Sequence, residues 1–243
     1  MALLEARGIS KFFGGLSVLA NVDFDVHQQE IVGLIGPNGS GKTTLFNVIM
    51  GSLKCNCGNV FFRGQEITGL RPHQICHRGI SRTFQLTKPF GRMTCLENVM
   101  VGGFFGNDSD QGFKQTRNEC VDVLHLVGLE HKHRVLAAGL NTIERKRLEL
   151  ARALATHPRL LLLDEIMAGL NPIEINAAVE LIRKINHSGV TIVIVEHVMK
   201  ALLGLSQRVV VLDAGRKIAE GTPREVVQNQ DVIDAYFGEN IRA

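Results

Sequence analysis

The sequence predicts an α/β fold with a mostly parallel sheet, an N-terminal antiparallel β subdomain and an inserted helical subdomain. The apolar runs 160–163 and 191–195 have strand length and no polar alternation, which is typical of strands buried on both faces of a parallel sheet. Residues 22–26 alternate apolar and acidic side chains, as a half-exposed antiparallel strand does. Residues 86–156 change to helical patterns interrupted by glycines, which indicates a helical lobe inserted into the α/β core.

Each predicted element follows from its local pattern of apolar, glycine and proline residues. The expected strands cover residues 3–10, 22–26, 31–35, 60–62, 80–85, 160–165, 191–195, 208–212 and 217–220. The expected helices begin near residue 42 and cover 72–78, 95–102, 111–128, 143–156, 172–188, 197–205, 223–229 and 232–237. We therefore expect a single domain over residues 1–243, in which 1–85 and 157–243 form the α/β core, 86–156 the helical subdomain and 222–243 a C-terminal helical tail.

Composition limits the classes of function. The 243 residues carry a formal net charge of +3, too small to indicate nucleic acid as a partner. No run of 18 apolar residues is present, so work at a membrane would require a separate membrane partner. We expect the five cysteines to be reduced thiols, with no zinc site at Cys55 and Cys57 and a solvated loop at 131–133.

The most informative stretch is the phosphate loop, which follows an apolar strand and leads into a helix. Its residues are Gly36, Pro37, Asn38, Gly39, Ser40, Gly41, Lys42, Thr43 and Thr44. The glycines permit a tight turn whose N–H groups form an anion-binding nest, and the following helix adds its positive dipole end. Lys42 would reach the β- and γ-phosphates, and the Thr43 hydroxyl would ligate Mg²⁺. A glycine-rich turn that matches by chance is the alternative, but the strand–turn–helix context favours a P-loop NTPase core.

Polar side chains follow the ends of other predicted parallel strands, where functional groups collect. Asp164 and Glu165 follow the four-leucine strand. Asp164 is suited to hold Mg²⁺, and Glu165 is suited to deprotonate the water that attacks the γ-phosphate. Gln85 has an amide that can ligand the metal and contact this water, and His197 could contact the γ-phosphate. The alternatives are two solvated acids and a structural histidine.

Phe13 lies just before the predicted turn at Gly14 and Gly15. A purine base bound beside the phosphate loop needs a flat apolar face, so Phe13 is the candidate for stacking on adenine. The alternative is an ordinary core phenylalanine.

Together these motifs resemble the ATP-binding subunits of ABC transporters over nearly the whole chain. In that family 36–44 corresponds to Walker A, 160–165 to Walker B with its catalytic glutamate, and 168–171 to the D-loop. Gln85 matches the Q-loop and His197 the switch histidine. A narrower resemblance to the branched-chain amino acid importer ATPases involves 12–16, 82–85, 93–99, 168–172 and 232–239.

The resemblance implies ATP and Mg²⁺ as cofactors and ATP hydrolysis coupled to transport. It implies a second ABC ATPase in a head-to-tail dimer, membrane permease subunits gripped by the helical subdomain, and indirectly an external substrate-binding protein. The chain would be peripheral, at the cytoplasmic face of the inner membrane, and would not act on nucleic acid.

One motif departs from the family pattern. The signature Leu-Ser-Gly-Gly-Gln is replaced by residues 140–144, which read Leu-Asn-Thr-Ile-Glu. Asn141 could still cap the helix and donate a hydrogen bond to phosphate. Ile143 removes the close approach that glycine permits, and Glu144 brings negative charge. We therefore expect an asymmetric heterodimer, in which the site completed by residues 140–144 is slower or only holds ATP.

Three other functions stay open on sequence alone. The chain could serve a transporter with another cargo, since the ATPase does not touch cargo. It could be a soluble non-transport ABC ATPase acting on nucleic acid or ribosomes, although it has neither two ATPase domains nor a long coiled-coil insert. A small-molecule kinase would leave Glu165 and His197 unexplained.

Overall fold

The computed structural model describes residues 2–84, 87–106 and 112–237. Its strands are β1 (Ala2–Phe13), β2 (Leu16–His27), β3 (Ile31–Ile35), β4 (Cys57–Phe62), β5 (Gln65–Glu66), β6 (Ile80–Arg82), β7 (Leu160–Asp164), β8 (Thr191–Val195), β9 (Arg208–Asp213) and β10 (Arg216–Gly221). Its α-helices are α1 (Lys42–Ile49), α2 (Pro72–His77), α3 (Cys95–Phe104), α4 (Phe113–Leu126), α5 (Thr142–Leu154), α6 (Pro172–His187), α7 (Met199–Leu205), α8 (Pro223–Gln228) and α9 (Gln230–Phe237). Short 3₁₀ turns cover Glu130–Lys132 and Ala137–Gly139.

The chain folds into two compact units. The first unit contains residues 1–72 and 191–243, and the second contains residues 73–190. The predicted helical stretch 86–156 falls within the second unit, together with β6, β7 and α6. The single-domain organisation stays a prediction.

An antiparallel sheet forms one part of the first unit, with the strand order β2, β1, β4, β5. The alternation in β2 is confirmed: Val22, Phe24 and Val26 are buried, whereas Asp23 is exposed. The Asp23 carboxylate accepts a hydrogen bond from the Gly8 N–H at 2.7 Å. β1 and β2 extend well beyond the predicted bounds, because bulges let the pairing continue almost to the turn.

The other part of the first unit is a mostly parallel group of strands, of which β3 leads into the phosphate loop. β3 pairs in parallel with β8 on one side and with β9 on the other, and β10 pairs antiparallel with β9. β3 and β8 are buried at every residue, as their unbroken apolar runs predict. α7 packs on β3 at Gly33, where an added Cβ would lie 2.7 Å from a methyl carbon of Leu202.

In the second unit, β6 and β7 form a parallel pair, and α3, α4 and α5 pack against one another. β7 is buried at every residue, which confirms the interpretation of the four leucines. α3 and α5 approach closely at Gly102, where a Cβ would lie 2.3 Å from the Arg152 carbonyl oxygen. Both the mostly parallel α/β core and the helical segment are therefore as the sequence predicts.

The strand predicted over 80–85 is shorter than expected, because β6 ends at Arg82. The Thr83 N–H still donates to the Leu162 carbonyl oxygen of β7 at 3.0 Å, but the Asp164 N–H donates to the Thr83 hydroxyl at 3.2 Å and the Phe84 N–H donates to the Glu149 carboxylate. Side-chain acceptors thus replace the strand partner at this point. Gln85, the last residue of the predicted strand, lies outside the described residues.

Candidate functional site

The phosphate loop, residues 36–44, leaves the carboxyl end of β3 and enters α1. Gly36 has a φ of 150°, and a Cβ placed on it would lie 2.0 Å from the Leu212 carbonyl oxygen. Gly41 caps α1 with a φ of 103°, where a Cβ would lie 2.8 Å from the Val18 carbonyl oxygen. A side chain at either position would displace backbone, so both glycines are required by packing as well as by the turn.

Lys42 lies within this loop and is only 8% exposed. Its Nζ donates to the carbonyl oxygens of Gly36 at 2.7 Å and Pro37 at 2.9 Å, and lies 3.5 Å from the Ser40 hydroxyl. These carbonyl oxygens solvate the ammonium inside the loop. A phosphate is a stronger acceptor and would compete for the same group.

The amino end of α1 differs from those of α3, α5, α6 and α8. α3, α5, α6 and α8 each begin with a capping box in which a glutamate side chain binds the N-cap N–H. α1 has neither a side-chain cap nor an acidic residue in its first turn. Without a side-chain cap or a carboxylate in its first turn, the amino end of α1 fits an anion such as phosphate.

Asp164 ends β7 in the second unit and is 3% exposed. Its Oδ2 lies 2.6 Å from Arg82 Nη2, and both side chains are almost fully buried. The guanidinium of Arg82 thus gives the buried aspartate an oppositely charged partner. A magnesium ion held by Asp164 would share the carboxylate with Arg82.

Glu165 follows directly and has a φ of 52°, a left-handed conformation that non-glycine residues seldom adopt. Lys146 of α5 donates to the two carbonyl oxygens just beyond it, Ile166 at 3.3 Å and Ala168 at 2.5 Å. Such strain persists only where the surroundings hold it, and it is concentrated at functional sites. Lys146 is one of the groups that hold this turn.

α5 also holds the segment before and after Gln85. The carboxylate of Glu149 accepts the Phe84 N–H; burial raises the pKa of Glu149, and this hydrogen bond opposes the increase. Arg152 donates to the Lys88 carbonyl oxygen at 3.3 Å and stacks over the Phe90 ring at 4.7 Å. The described residues on both sides of Gln85 are therefore attached to one helix.

His197 and Phe13 belong to the first unit. His197 is exposed and lies two residues beyond the end of β8, next to the buried Glu196. Phe13 is 50% exposed at the end of β1, with Lys11 Nζ 5.1 Å from the ring centroid. Phe13 is thus not a core phenylalanine, and its exposed ring is compatible with base stacking.

The altered signature segment has its acidic side chain turned back on its own helix. Asn141 Oδ1 accepts the Glu144 N–H at 2.9 Å, and the Glu144 carboxylate accepts the Asn141 N–H at 3.0 Å. Lys132 pairs with Glu144 at 2.5 Å, and this hydrogen bond, with the Asn141 N–H, lowers the pKa of the glutamate although burial opposes it. The charge that the sequence brings to this site is therefore compensated locally by a lysine 12 positions earlier.

The structure thus brings the loop residues 36–44 together in the first unit and places Asp164, Glu165 and Asn141 in the second. Four residues that sequence reasoning missed contact these segments or the residue before Gln85: Arg82, Lys146, Glu149 and Tyr236. Their available signals were weak. Arg82 and Glu149 are charged residues inside apolar patterns, and Tyr236 is the only tyrosine in the chain.

Comparison with known proteins decides the family. A model of the ABC transporter family matches residues 19–168. The chain belongs to the ABC transporter family. It is an ATP-binding cassette, the ATPase class of that family, and a second model, of the branched-chain amino acid ATP-binding cassette transporters, matches residues 216–241.

Its relatives match it from end to end. The high-affinity branched-chain amino acid transport ATP-binding protein LivG of Escherichia coli is 41% identical over 98% of both chains, and BraF of Pseudomonas aeruginosa is 37% identical over 98% of both. The lipopolysaccharide export ATP-binding protein LptB of Escherichia coli is 34% identical over 100% of both. The crystal structure of an ABC transporter cassette in its ADP conformation superposes with a TM-score of 0.89 at 31% identity, covering 98% of this chain and 99% of that one.

Proposed function

We propose that this cassette hydrolyses ATP to drive an importer for branched-chain or related amino acids. The observation that supports ATP as ligand is the buried Lys42 ammonium inside a glycine loop, next to a helix end with no cap of its own. The cargo rests on the 41% identity to LivG and on the tail match at residues 216–241. The 34% identity to LptB favours the alternative, a transporter with another cargo.

In this proposal Lys42 and the N–H groups of 36–44 bind the β- and γ-phosphates, and adenine stacks on Phe13. Thr43 and Asp164, with Gln85, hold Mg²⁺, which neutralises charge on the phosphates. Among the described residues no group of three or more His, Cys, Asp or Glu is placed to hold a metal ion. The phosphates of the nucleotide would supply further ligands, as is usual for Mg²⁺ in ATPases.

Glu165 acts as the general base toward the attacking water, and His197 contacts the γ-phosphate. The turn around Glu165 is held by Lys146, so the carboxylate is oriented before nucleotide arrives. A catalytic group that is oriented in advance does not lose conformational entropy on the way to the transition state, which lowers the barrier.

The ATPase works as a dimer with membrane permeases, and we propose a head-to-tail heterodimer. A solved dimeric bacterial cassette is 25% identical and superposes with a TM-score of 0.82, covering 91% of this chain and 99% of that one. The self-capped amino end of α5 supports the asymmetry: Glu144 and Asn141 already bind each other's N–H groups, which leaves fewer donors for the partner's γ-phosphate. The site completed by this segment would be the slower one.

We propose that the permease docks on the helical part of the second unit. Exposed apolar side chains there include Phe90, Met93, Val135 and Leu136. Hydrogen bonds join their two segments: the Ala137 N–H donates to the Met93 carbonyl oxygen at 2.9 Å, and the Cys95 N–H to that of Val135 at 2.9 Å. No helix in the described part of the chain is long and apolar enough to cross a membrane. The cassette would sit on the cytoplasmic face of the inner membrane, and an external binding protein would deliver cargo.

The test is to reconstitute the cassette in proteoliposomes with the permeases, the second ATPase and the binding protein that its neighbouring genes encode. Leucine added with the binding protein should stimulate ATP hydrolysis and be transported, and Glu165→Gln should abolish most turnover while nucleotide still binds. The equivalent substitution in the partner ATPase should reduce turnover much less, because the partner's catalytic glutamate belongs to the slow site that residues 140–144 complete. Equal losses would overturn the asymmetry, and stimulation only by another cargo would overturn the amino acid assignment.

A further inference from the structure

The C-terminal helix contacts the phosphate loop directly. The hydroxyl oxygen of Tyr236, on α9, accepts the backbone N–H of Gly36 at 2.8 Å, across a sequence separation of 200 residues. Burial raises the pKa of Tyr236, although the Gly36 N–H opposes this, so the hydroxyl is neutral at physiological pH. The N–H of Gly36 is thus satisfied by the tail.

Gly36 is held on several sides. Its carbonyl oxygen accepts a hydrogen bond from Lys42 at 2.7 Å, and the space where a side chain would be is filled by the Leu212 carbonyl oxygen. If Lys42 turns to a phosphate, it releases this carbonyl. The Tyr236 contact does not depend on Lys42 and would keep the Gly36 peptide in place.

Helices α8 and α9 connect β10 to the Tyr236–Gly36 contact. α8 begins with the Thr222 capping box directly after β10, and its Val226 is 2% exposed. Asn229 Oδ1 then accepts the N–H groups of Asp231 at 2.9 Å and Val232 at 3.3 Å, which starts α9. Contacts of α9 with α8 and β10 complete the anchoring, so Tyr236 is presented by a packed helix.

We propose that Tyr236 is a positioning residue for nucleotide binding and that α9 sets the affinity of the phosphate loop by holding Gly36. The proposal rests on the proposed function in taking residues 36–44 as the nucleotide site. It goes further in giving the C-terminal tail a role at that site. A loop that is held in its binding conformation loses less conformational freedom when it takes up phosphate.

The test is Tyr236→Phe in the full chain, which keeps the ring and removes the acceptor. Affinity for MgATP, measured with a fluorescent ATP analogue, should fall about 3- to 10-fold, since one half-buried N–H loses its partner. Asp234→Asn is the matched control, because it alters an exposed residue of the same helix. Asp234→Asn should leave affinity within about twofold of the parent, which is the scatter of surface changes.

A second readout does not depend on nucleotide. Hydrogen–deuterium exchange at the Gly36 amide should accelerate at least about fivefold in Tyr236→Phe, because protection follows the loss of the hydrogen bond. Exchange along β3 and the thermal midpoint should hardly change. Faster exchange with unchanged affinity would overturn the positioning role, and unchanged exchange would overturn the contact. If the parent chain does not bind MgATP but Tyr236→Phe still accelerates exchange at Gly36, the proposed function would be overturned instead.

Discussion

Arg82 and Asp164 form an ion pair whose side chains are 5% and 4% exposed. Removing one member leaves the other charge buried without compensation, which is costly in a medium of low dielectric constant. Arg82→Met should therefore lower the free energy of unfolding by about 3–5 kcal/mol, measured by urea denaturation. Adding Asp164→Asn to it should restore much of the loss. A single variant as stable as the parent would contradict the pairing.

Lys146 gives a prediction about catalysis. Lys146→Met keeps the length of the side chain but removes the donor that holds the Ile166 and Ala168 carbonyl oxygens. With Glu165 less well oriented, kcat should fall about tenfold, equivalent to about 1.4 kcal/mol in the barrier. The KM for ATP should stay within about twofold, because Lys146 is not among the proposed phosphate ligands.

The matched control is Lys184→Met, which removes an exposed lysine of α6. It should leave both kcat and KM as in the parent. A rise in KM with unchanged kcat in Lys146→Met would show that the lysine affects binding and does not orient Glu165.

At the scale of an element, α5 is the helix that connects most of the candidate site in the second unit. It begins at the Asn141 cap. Its Lys146 contacts the segment after β7, and its Glu149 and Arg152 contact the segment after β6. A change at its amino end would therefore be transmitted to the turn of Glu165.

Asn141→Ala removes the side-chain acceptor of the α5 capping box. It should lower the free energy of unfolding by about 1 kcal/mol, whereas Asn141→Ser should cost only a few tenths because serine caps almost as well. Chemical denaturation of the two variants side by side measures the difference. Equal losses would mean that the asparagine does not act as a cap.

At the scale of the whole molecule, an ion network centred on Arg208 joins strands of the first unit. Arg208 contacts Glu30 at 2.8 Å and Asp25 at 3.4 Å, and also pairs with Glu220. Hydrogen bonds to Glu30 raise the pKa of Arg208 despite burial. Burial alone would raise the pKa values of Glu30 and Glu220, but their cationic partners hold both below the ordinary 4.5.

The sign of the resulting pH dependence follows from these directions. Carboxylates whose pKa is depressed in the folded state stabilise it when ionised, so the contribution is complete above about pH 4.5 and disappears as pH falls through the lower folded-state values. Arg208→Met should cost about 2–4 kcal/mol at pH 7 and flatten the loss of stability below pH 4.5. Unfolding free energies measured from pH 7 to pH 3 test this.

Arg183→Met is the control for this prediction, because the Arg183–Glu180 pair is exposed, with 45% and 62% of the side chains accessible. Surface pairs contribute little, so the expected cost is below about 1 kcal/mol at every pH. A pH profile of Arg208→Met parallel to that of the parent would contradict the role of the network.

The parts of the molecule that could be predicted are those specified by neighbouring residues. The phosphate loop follows from its glycines between an apolar strand and a helix, and the buried strands β3, β7 and β8 follow from unbroken apolar runs. The end of β6 differs from the prediction, because the residue that diverts Phe84 is Glu149, 65 positions later in the chain. Local pattern contains no information about such a partner.

What the sequence by itself determined is the class of fold, the phosphate loop and the family, because periodicity and motif spacing act over a few residues. Only the tertiary structure decided which groups hold that machinery in place. Three contacts join distant parts of the chain: Tyr236 accepts the Gly36 N–H, and Arg82 pairs with Asp164. In the third, Lys146 donates to the Ala168 carbonyl oxygen, just after Glu165. Such contacts form because buried donors and charges must find partners wherever packing brings the chain together, and sequence distance does not constrain that choice.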